Sequence, residues 1–135
     1  MSGQALHLKI CGLTDSAQAC SIAALGVQAI GVIGVEASPR WVPEPERRAL
    51  FRSLQRHHPS VERVWVVADL DDDRLHAALQ GEGAPSVVQL HGDESAERCR
   101  DLRRRHTQTK WWKALRLHDP EQLLKLNDYA GCVDA

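Results

Sequence analysis

Two short segments set side chains suited to proton transfer at the ends of apolar runs. In Lys9-Ile10-Cys11-Gly12-Leu13-Thr14 a thiol follows the stretch Leu6 to Ile10; in Gln89-Leu90-His91-Gly92-Asp93-Glu94 an amide and an imidazole flank the end of the run Val87 to Leu90. Each reads as a buried strand that ends in a reactive side chain, then glycine, then a helix-start signal. A thiolate there can serve as general base or nucleophile. The N–H groups and dipole of a following helix would lower its pKa from a free value of about 8.5. The competing reading of Cys11 is a small buried hydrophobe. Cys20, Cys99 and Cys132 take that second reading, because none combines a strand end with a glycine turn. Gln89 and His91 stand two apart and so share a strand face, which fits either a cavity lining or satisfied polar groups in a core.

Four further places carry charge or aromatic surface. Ser38-Pro39-Arg40 follows the second apolar run; an arginine held by an extended proline loop can grip a carboxylate through two hydrogen bonds, or can simply be a surface cation. Lys113 and Arg116 are candidates for binding a substrate anion or are rim charges, while Trp111 and Trp112 face opposite sides, one of them into the core. The acidic run Asp69, Asp71, Asp72, Asp73 reads as a solvated loop and helix start, and Arg103-Arg104-Arg105 as a solvated helix end.

The elements that must position these groups alternate along the chain. Strands are expected at Leu6 to Ile10, Ala29 to Val35, Val61 to Ala68, Ser86 to Leu90 and Lys110 to Leu117. Helices are expected at Asp15 to Leu25, Pro43 to Arg56, Asp72 to Gln80, Ser95 to Arg105 and Pro120 to Asn127, with Cys132-Val133 starting a sixth strand. Thr14 or Asp15 and Ser95 are natural N-caps, and Gly26 a natural stop. A repeat of about 25 residues is the size of a βα unit in a parallel sheet, whose neighbours need crossover helices. No linker or composition shift divides residues 1–135, which read as one domain.

Composition narrows the class. The chain has 135 residues, 43% hydrophobic and 26% charged, with a formal net charge of -1, so neither nucleic acid nor an anionic membrane is an expected partner. The four cysteines lack short paired spacing and the histidines lack zinc-ligand spacing with them, so no metal is expected, and a reduced, cytoplasmic setting is. No apolar run approaches membrane-spanning length. Length favours a five-stranded open sheet over an eightfold barrel, which needs about 200 residues or more.

The motifs reverse that preference. Lys-Ile-Cys-Gly-Leu-Thr at 9–14, Ser-Pro-Arg at 38–40, Val-Gln-Leu-His-Gly-Asp-Glu at 88–94 and Trp-Lys-Ala-Leu at 112–115 together resemble the phosphoribosylanthranilate isomerases of tryptophan biosynthesis, from about Leu6 to the last residue. The resemblance implies an α/β fold of parallel βα units from a TIM barrel. It also implies an Amadori rearrangement of N-(5-phosphoribosyl)anthranilate to 1-(2-carboxyphenylamino)-1-deoxyribulose 5-phosphate, without metal or organic cofactor. By it, Cys11 is the general base, Arg40 lies near the anthranilate carboxylate, and His91 with Gln89 lines the aromatic end of the site. Arg116 joins them as a substrate-binding candidate, and the partner is the phosphorylated sugar-anthranilate; the oligomeric state is left open.

Departures accompany the match. Val27 and Gln28 follow Gly26 where the family usually has alanine and aspartate, and Val64-Trp65-Val66-Val67-Ala68 stands where Gly-Val-Phe is common. The family's general acid, an aspartate ending strand six, lies beyond the position matching Asp134, which sits at the start of that strand. The expectation is therefore an incomplete (βα)₈ barrel, cut after about five units, belonging to a longer isomerase and inactive alone. Indole-glycerol-phosphate synthase, a related barrel, would rest on lysines and glutamates at strand ends rather than on Cys11 and His91. A five-stranded receiver-like signalling or binding module, with Asp69 as its phosphorylatable aspartate, is the reading from another class.

Overall fold

The computed structural model describes residue 3 and residues 5–135. Five parallel strands run β1 (Lys9–Cys11), β2 (Ala29–Ile33), β3 (Glu62–Val67), β4 (Val87–Leu90) and β5 (Lys110–Lys113). Between them lie α1 (Ser16–Ala23), α2 (Glu44–His57), α3 (Asp72–Ala78) and α4 (Ala96–Arg105). A 3₁₀ turn (Pro120–Leu124) and α5 (Lys125–Tyr129) follow β5. The strands pair in chain order, β1-β2-β3-β4-β5. Doubly wound sheets reverse direction at a switch point, and the receiver-type order is 2-1-3-4-5. The sequential order therefore removes the open-sheet alternative.

The helices share one side of the sheet. The main core joins outward strand residues Ile30, Val32, Trp65, Val88 and Leu90 to Leu50, Phe51 and Leu54 of α2, Leu75 of α3 and Leu102 of α4. A smaller cluster on the other face, Ala29, Val64, Val66 and Val87 with Ile33 and Trp112 beside it, has no helical residue. Trp111 is fully buried and Trp112 partly so, on opposite faces as the alternation requires.

Local signals account for the helix starts. Asp15, Asp71 and Ser95 each accept the N–H three residues on, at 2.8, 2.9 and 3.0 Å. In α2 the spacing of Arg47, Leu50, Phe51 and Leu54 puts one stripe inward. Strand edges differ from the expectation where pairing stops. β5 ends at Lys113 rather than Leu117, because β4 turns away after Leu90 and the last ladder bond is Ala114 N–H to Leu90 C=O at 2.9 Å. The expected helix at 120–127 opens instead as a 3₁₀ turn, with Leu123, Leu124 and Leu126 exposed. Those leucines are not buried among the described residues, and burial is what sustains short helices.

Cys132-Val133 forms no strand. One step later, however, Asp134 N–H donates to Trp111 C=O at 2.7 Å and Lys113 N–H to Ala135 C=O at 2.8 Å. The Asp134 carboxylate accepts from Trp111 N–H and from Arg103, so it fastens the chain beside β5. Arg103 also holds Gly131 C=O, and Arg105 binds Asp72 and Asp101. The arginine triplet is thus partly a structural clasp rather than a merely solvated helix end.

Leu54→Ala, at a fully buried position, is expected to cost about 3 kcal/mol in urea unfolding with m unchanged. The exposed neighbour Arg52→Ala should stay within about 0.5 kcal/mol in the same measurement.

Candidate active site

Every strand has a face that the helices leave uncovered, and the polar residues collect there. Lys9 and Cys11 on β1, Gly31 on β2, Gln89 on β4 and Trp112 on β5 all fall on this face by register. Lys9 Nζ donates to Gln89 Oε1 across β2 and β3. On a flat sheet those strands would be about 14 Å apart, so the contact records a strongly curled sheet with its concave side inward. The Lys9 ammonium also lies 5.9 Å from the Trp112 ring centre.

Two glycines make room at the β1 end. A Cβ on Gly31 would lie 2.7 Å from Cys11 Sγ and 3.1 Å from Lys9 Cε. At Gly12, where φ is +86°, a Cβ would meet Arg40 Cδ and Nη1 at 2.9 Å. Arg40 therefore folds back over Gly12, next to the exposed Cys11. Ser38 Oγ accepts the Arg40 N–H at 3.2 Å and sets the loop that brings it there. The N-terminus of α1 is occupied by the Asp15 carboxylate.

At the β4 end, His91 continues the inward alternation after Gln89. It lines a cavity of about 560 Å³ with Gly92, Lys113, Arg116 and Tyr129. Its buried Nδ1 has no partner among the described residues. Burial first, then the charges of Arg116, Lys113 and Lys9, hold its pKa below 6.5, with Glu94 opposing. The imidazole is thus neutral at pH 7.

A buried polar knot fixes this loop. Lys113 Nζ donates to Glu94 Oε1 at 2.9 Å and to Gly92 C=O at 2.6 Å, and both side chains are almost wholly buried, 2% and 4% exposed. Glu94 also accepts Gly92 N–H at 2.9 Å and Asp69 N–H at 2.7 Å. Tyr129 O–H donates to Glu94 C=O at 2.7 Å. Burial alone would raise the Glu94 pKa, yet the hydrogen bonds from Lys113 and the backbone hold it below 4.5.

Several expectations change here. Lys113, a candidate for a substrate anion, is consumed by Glu94; Arg116 remains exposed on the cavity rim. Asp69 is the exposed loop residue expected, and it also takes a structural part. It has φ +51°, accepts Asp93 N–H, and stands where a Cβ on Gly92 would lie 2.4 Å from its Oδ2. Lys9 and Glu94 carried no role in the sequence reading. A charge two residues before Cys11 in an apolar strand was a usable signal for Lys9. Nothing local marks Glu94 as a partner for Lys113, nineteen residues away.

Comparison with known proteins decides the family. The profile described as N-(5'phosphoribosyl)anthranilate (PRA) isomerase matches residues 8–131. The chain belongs to this family. It is 40% identical over 129 residues to the N-(5'-phosphoribosyl)anthranilate isomerase of Synechococcus elongatus, covering 96% of this chain and 58% of the relative. The phosphoribosyl anthranilate isomerase crystal structure from Thermus thermophilus superposes with TM-score 0.74 at 30% identity, over 85% of this chain and 54% of that one. Another isomerase structure, in complex with reduced 1-(o-carboxyphenylamino)-1-deoxyribulose 5-phosphate, gives TM-score 0.78 at 25% identity over 92% and 60%. The chain thus spans little more than half the length of the relatives it matches. Its five parallel strands are those of a TIM-barrel-like α/β fold. No helix among the described residues is long and apolar enough to cross a membrane.

Lys113→Met strands a buried carboxylate and is expected to cost about 3–5 kcal/mol. Combined with Glu94→Gln it should lose less than the sum, with a coupling of at least about 1.5 kcal/mol in a double-mutant cycle. Because the folded pKa of Glu94 is depressed, the stability it confers is complete above pH 4.5 and drains away as pH falls through the folded value. Glu94→Gln should flatten that acid limb in urea melts taken from pH 6 downward. His91 acts higher: with its folded pKa also depressed, the unfolded chain takes the proton first, so its contribution fades below pH 6.5. In ¹H NMR its ring should titrate below a denatured-state reference.

Proposed function

We propose that this chain supplies the base-bearing and anthranilate-binding part of a phosphoribosylanthranilate isomerase, the enzyme that converts N-(5-phosphoribosyl)anthranilate to 1-(2-carboxyphenylamino)-1-deoxyribulose 5-phosphate. The carrying observation is the meeting of Cys11 and Arg40 over Gly12 and Gly31, on the same curled face as Gln89 and His91. Once the furanose ring of the substrate has opened, the Cys11 thiolate removes the proton at C2 of the ribose. The C–H electron pair becomes the C1=C2 bond, and the electrons of the protonated imine return to nitrogen. The resulting enolamine takes a proton at C1 and loses one from the C2 hydroxyl, giving the ketose.

Arg40 binds the anthranilate carboxylate beside the base. Its flexible approach over an unbranched Gly12 suits a bidentate grip. His91, neutral at pH 7, lines the aromatic end with Gln89, whose amide oxygen is oriented by Lys9. Arg116 adds positive charge at the rim of the same cavity. The chemistry asks for no metal or organic cofactor, since each step is a proton transfer. Residues 1–135 act as one partial-barrel domain, and the ring-opening acid belongs to the strand-six end that Asp134, tied to β5 and Arg103, does not supply. The sheet order leaves β1 with a single strand neighbour among the described residues, which supports completion by further βα units.

The test is the fall of anthranilate-type fluorescence when substrate meets protein. The 135-residue chain should show no turnover, and a version extended by three βα units of a family member should turn over. In the extended protein Cys11→Ala is expected to lower kcat by about 10²–10⁴-fold with the far-UV spectrum unchanged, whereas Arg40→Ala should raise KM more than it lowers kcat. An unaltered kcat in the Cys11 variant removes the thiol from the base role.

A further inference from the structure

A second cavity lies on the opposite side of the sheet, in the helical layer between α2 and α3. Its volume is about 480 Å³, and Trp65 of β3 forms part of its wall. Because Trp65 points outward from β3 into the helix-facing core, this space is separated from the concave face by the sheet itself. Arg48 clasps the two helices at one end, donating to Ala77, Gln80 and Glu82 carbonyls.

Two hydrogen-bond donors in this wall have no acceptor among the described residues. Arg47 is 3% exposed, and its Nε has no partner; Trp65 is 7% exposed, and its indole Nε1 has none. The guanidinium carbon lies 4.2 Å from the Trp65 ring centre, so the cation stacks on the indole that carries the second unpartnered N–H. A buried cation is costly unless it is paired and hydrogen-bonded. Here the nearest carboxylate, Glu44, stands 3.8 Å from Nη2 and is already bound by Arg48 at 2.8 Å. The indole nitrogen is packed against Gly34, where a Cβ would lie 2.2 Å from Nε1 and only glycine fits. The N-cap residue Pro43 makes no side-chain cap, so the adjoining helix start adds partial positive charge.

The remaining lining states what kind of molecule fits. Trp41, Val42, Leu70 and Ala78 are apolar walls; Arg74 adds a cation, and Glu36 joins Glu44 as the acidic part of the rim. Both orphaned groups are donors, so the complement must be an acceptor. Paired N–H groups on an arginine edge and an indole match the two oxygens of one carboxylate. We propose that this outer cavity binds a small carboxylate carried on a flat apolar body, with the anion accepting from Arg47 Nε and Trp65 Nε1. Its apolar part lies against Trp41 and Leu70.

The site is independent of the isomerase chemistry and can be tested on the 135-residue chain. Benzoate serves as probe, with benzamide as its neutral analogue, and the readout is the indole N–H resonances in ¹H–¹⁵N spectra, Trp65 being assigned by Trp65→Phe. Benzoate should move the Trp65 resonance downfield and saturably, and benzamide should not. Arg47→Met should weaken that binding by about tenfold or more, the usual loss for a hydrogen bond to a charged group. Trp65→Phe, which keeps an aromatic ring but removes the N–H, should weaken benzoate binding read on Trp41. Arg40→Ala and Arg116→Ala, on the concave side, should leave the Trp65 shift within about twofold, inside the scatter of distant substitutions. A Trp65 resonance unmoved by benzoate overturns the proposal. So does an equal response to benzamide, or a shift that vanishes with Arg40 or Arg116 and survives Arg47→Met.

Discussion

Crossover helices on one side of a parallel sheet leave the other face of every strand without a helix to cover it. That asymmetry underlies the whole arrangement of this chain. Outward positions on β2 to β5 are mostly large and apolar and pack on helices, Arg63 and Lys113 being the charged exceptions, while inward positions carry Lys9, Cys11, Gly31, Gln89 and Trp112. Curling then brings side chains from non-adjacent strands into contact, as the Lys9 to Gln89 hydrogen bond records. A flat sheet with the same residues would hold its thiol and its imidazole too far apart for one small substrate to meet both.

Buried charge is handled in two different ways in the same layer of the molecule. Lys113 and Glu94 are sealed together with backbone donors and acceptors around them, so each charge is compensated and the loop carrying His91 is held in one shape. Arg47 is equally buried but leaves a donor idle beside an idle indole N–H. The first arrangement is a finished structural network. The second has the form of a receptor awaiting an acceptor, because protein interiors rarely leave polar groups unsatisfied without a reason.

Periodicity carried the fold a long way. Alternating apolar runs placed five strands and four main helices to within a few residues, and Asp15 and Ser95 marked helix starts where the caps are found. Errors fell where an element depends on a distant partner. Lys110 to Leu117 reads as one strand, yet pairing ends when β4 turns off, and the run 120–127 opens as a 3₁₀ turn with its leucines exposed among the described residues. The acidic run after β3 is solvated as its local sequence indicates, while the Asp93 N–H and the bare Cα of Gly92 give Asp69 its particular place.

The candidate groups of the proposed site could be picked out because thiol, guanidinium and imidazole each stand next to a local marker: a glycine turn, a proline loop, an i, i+2 alternation. Those are short-range properties of the chain, and so is the family resemblance that rests on them. Which of the cations would remain free was not local information. Lys113 and Arg116 are three residues apart and chemically alike, but one is captured by Glu94 from the preceding loop and the other is left at the rim. The same holds for Trp65 and Arg47, eighteen residues apart in the chain, whose juxtaposition exists only once β3 and α2 are packed. Side-chain type and backbone preference are written residue by residue, whereas a neighbour across the sheet or across the helical layer is set by the global path of the chain.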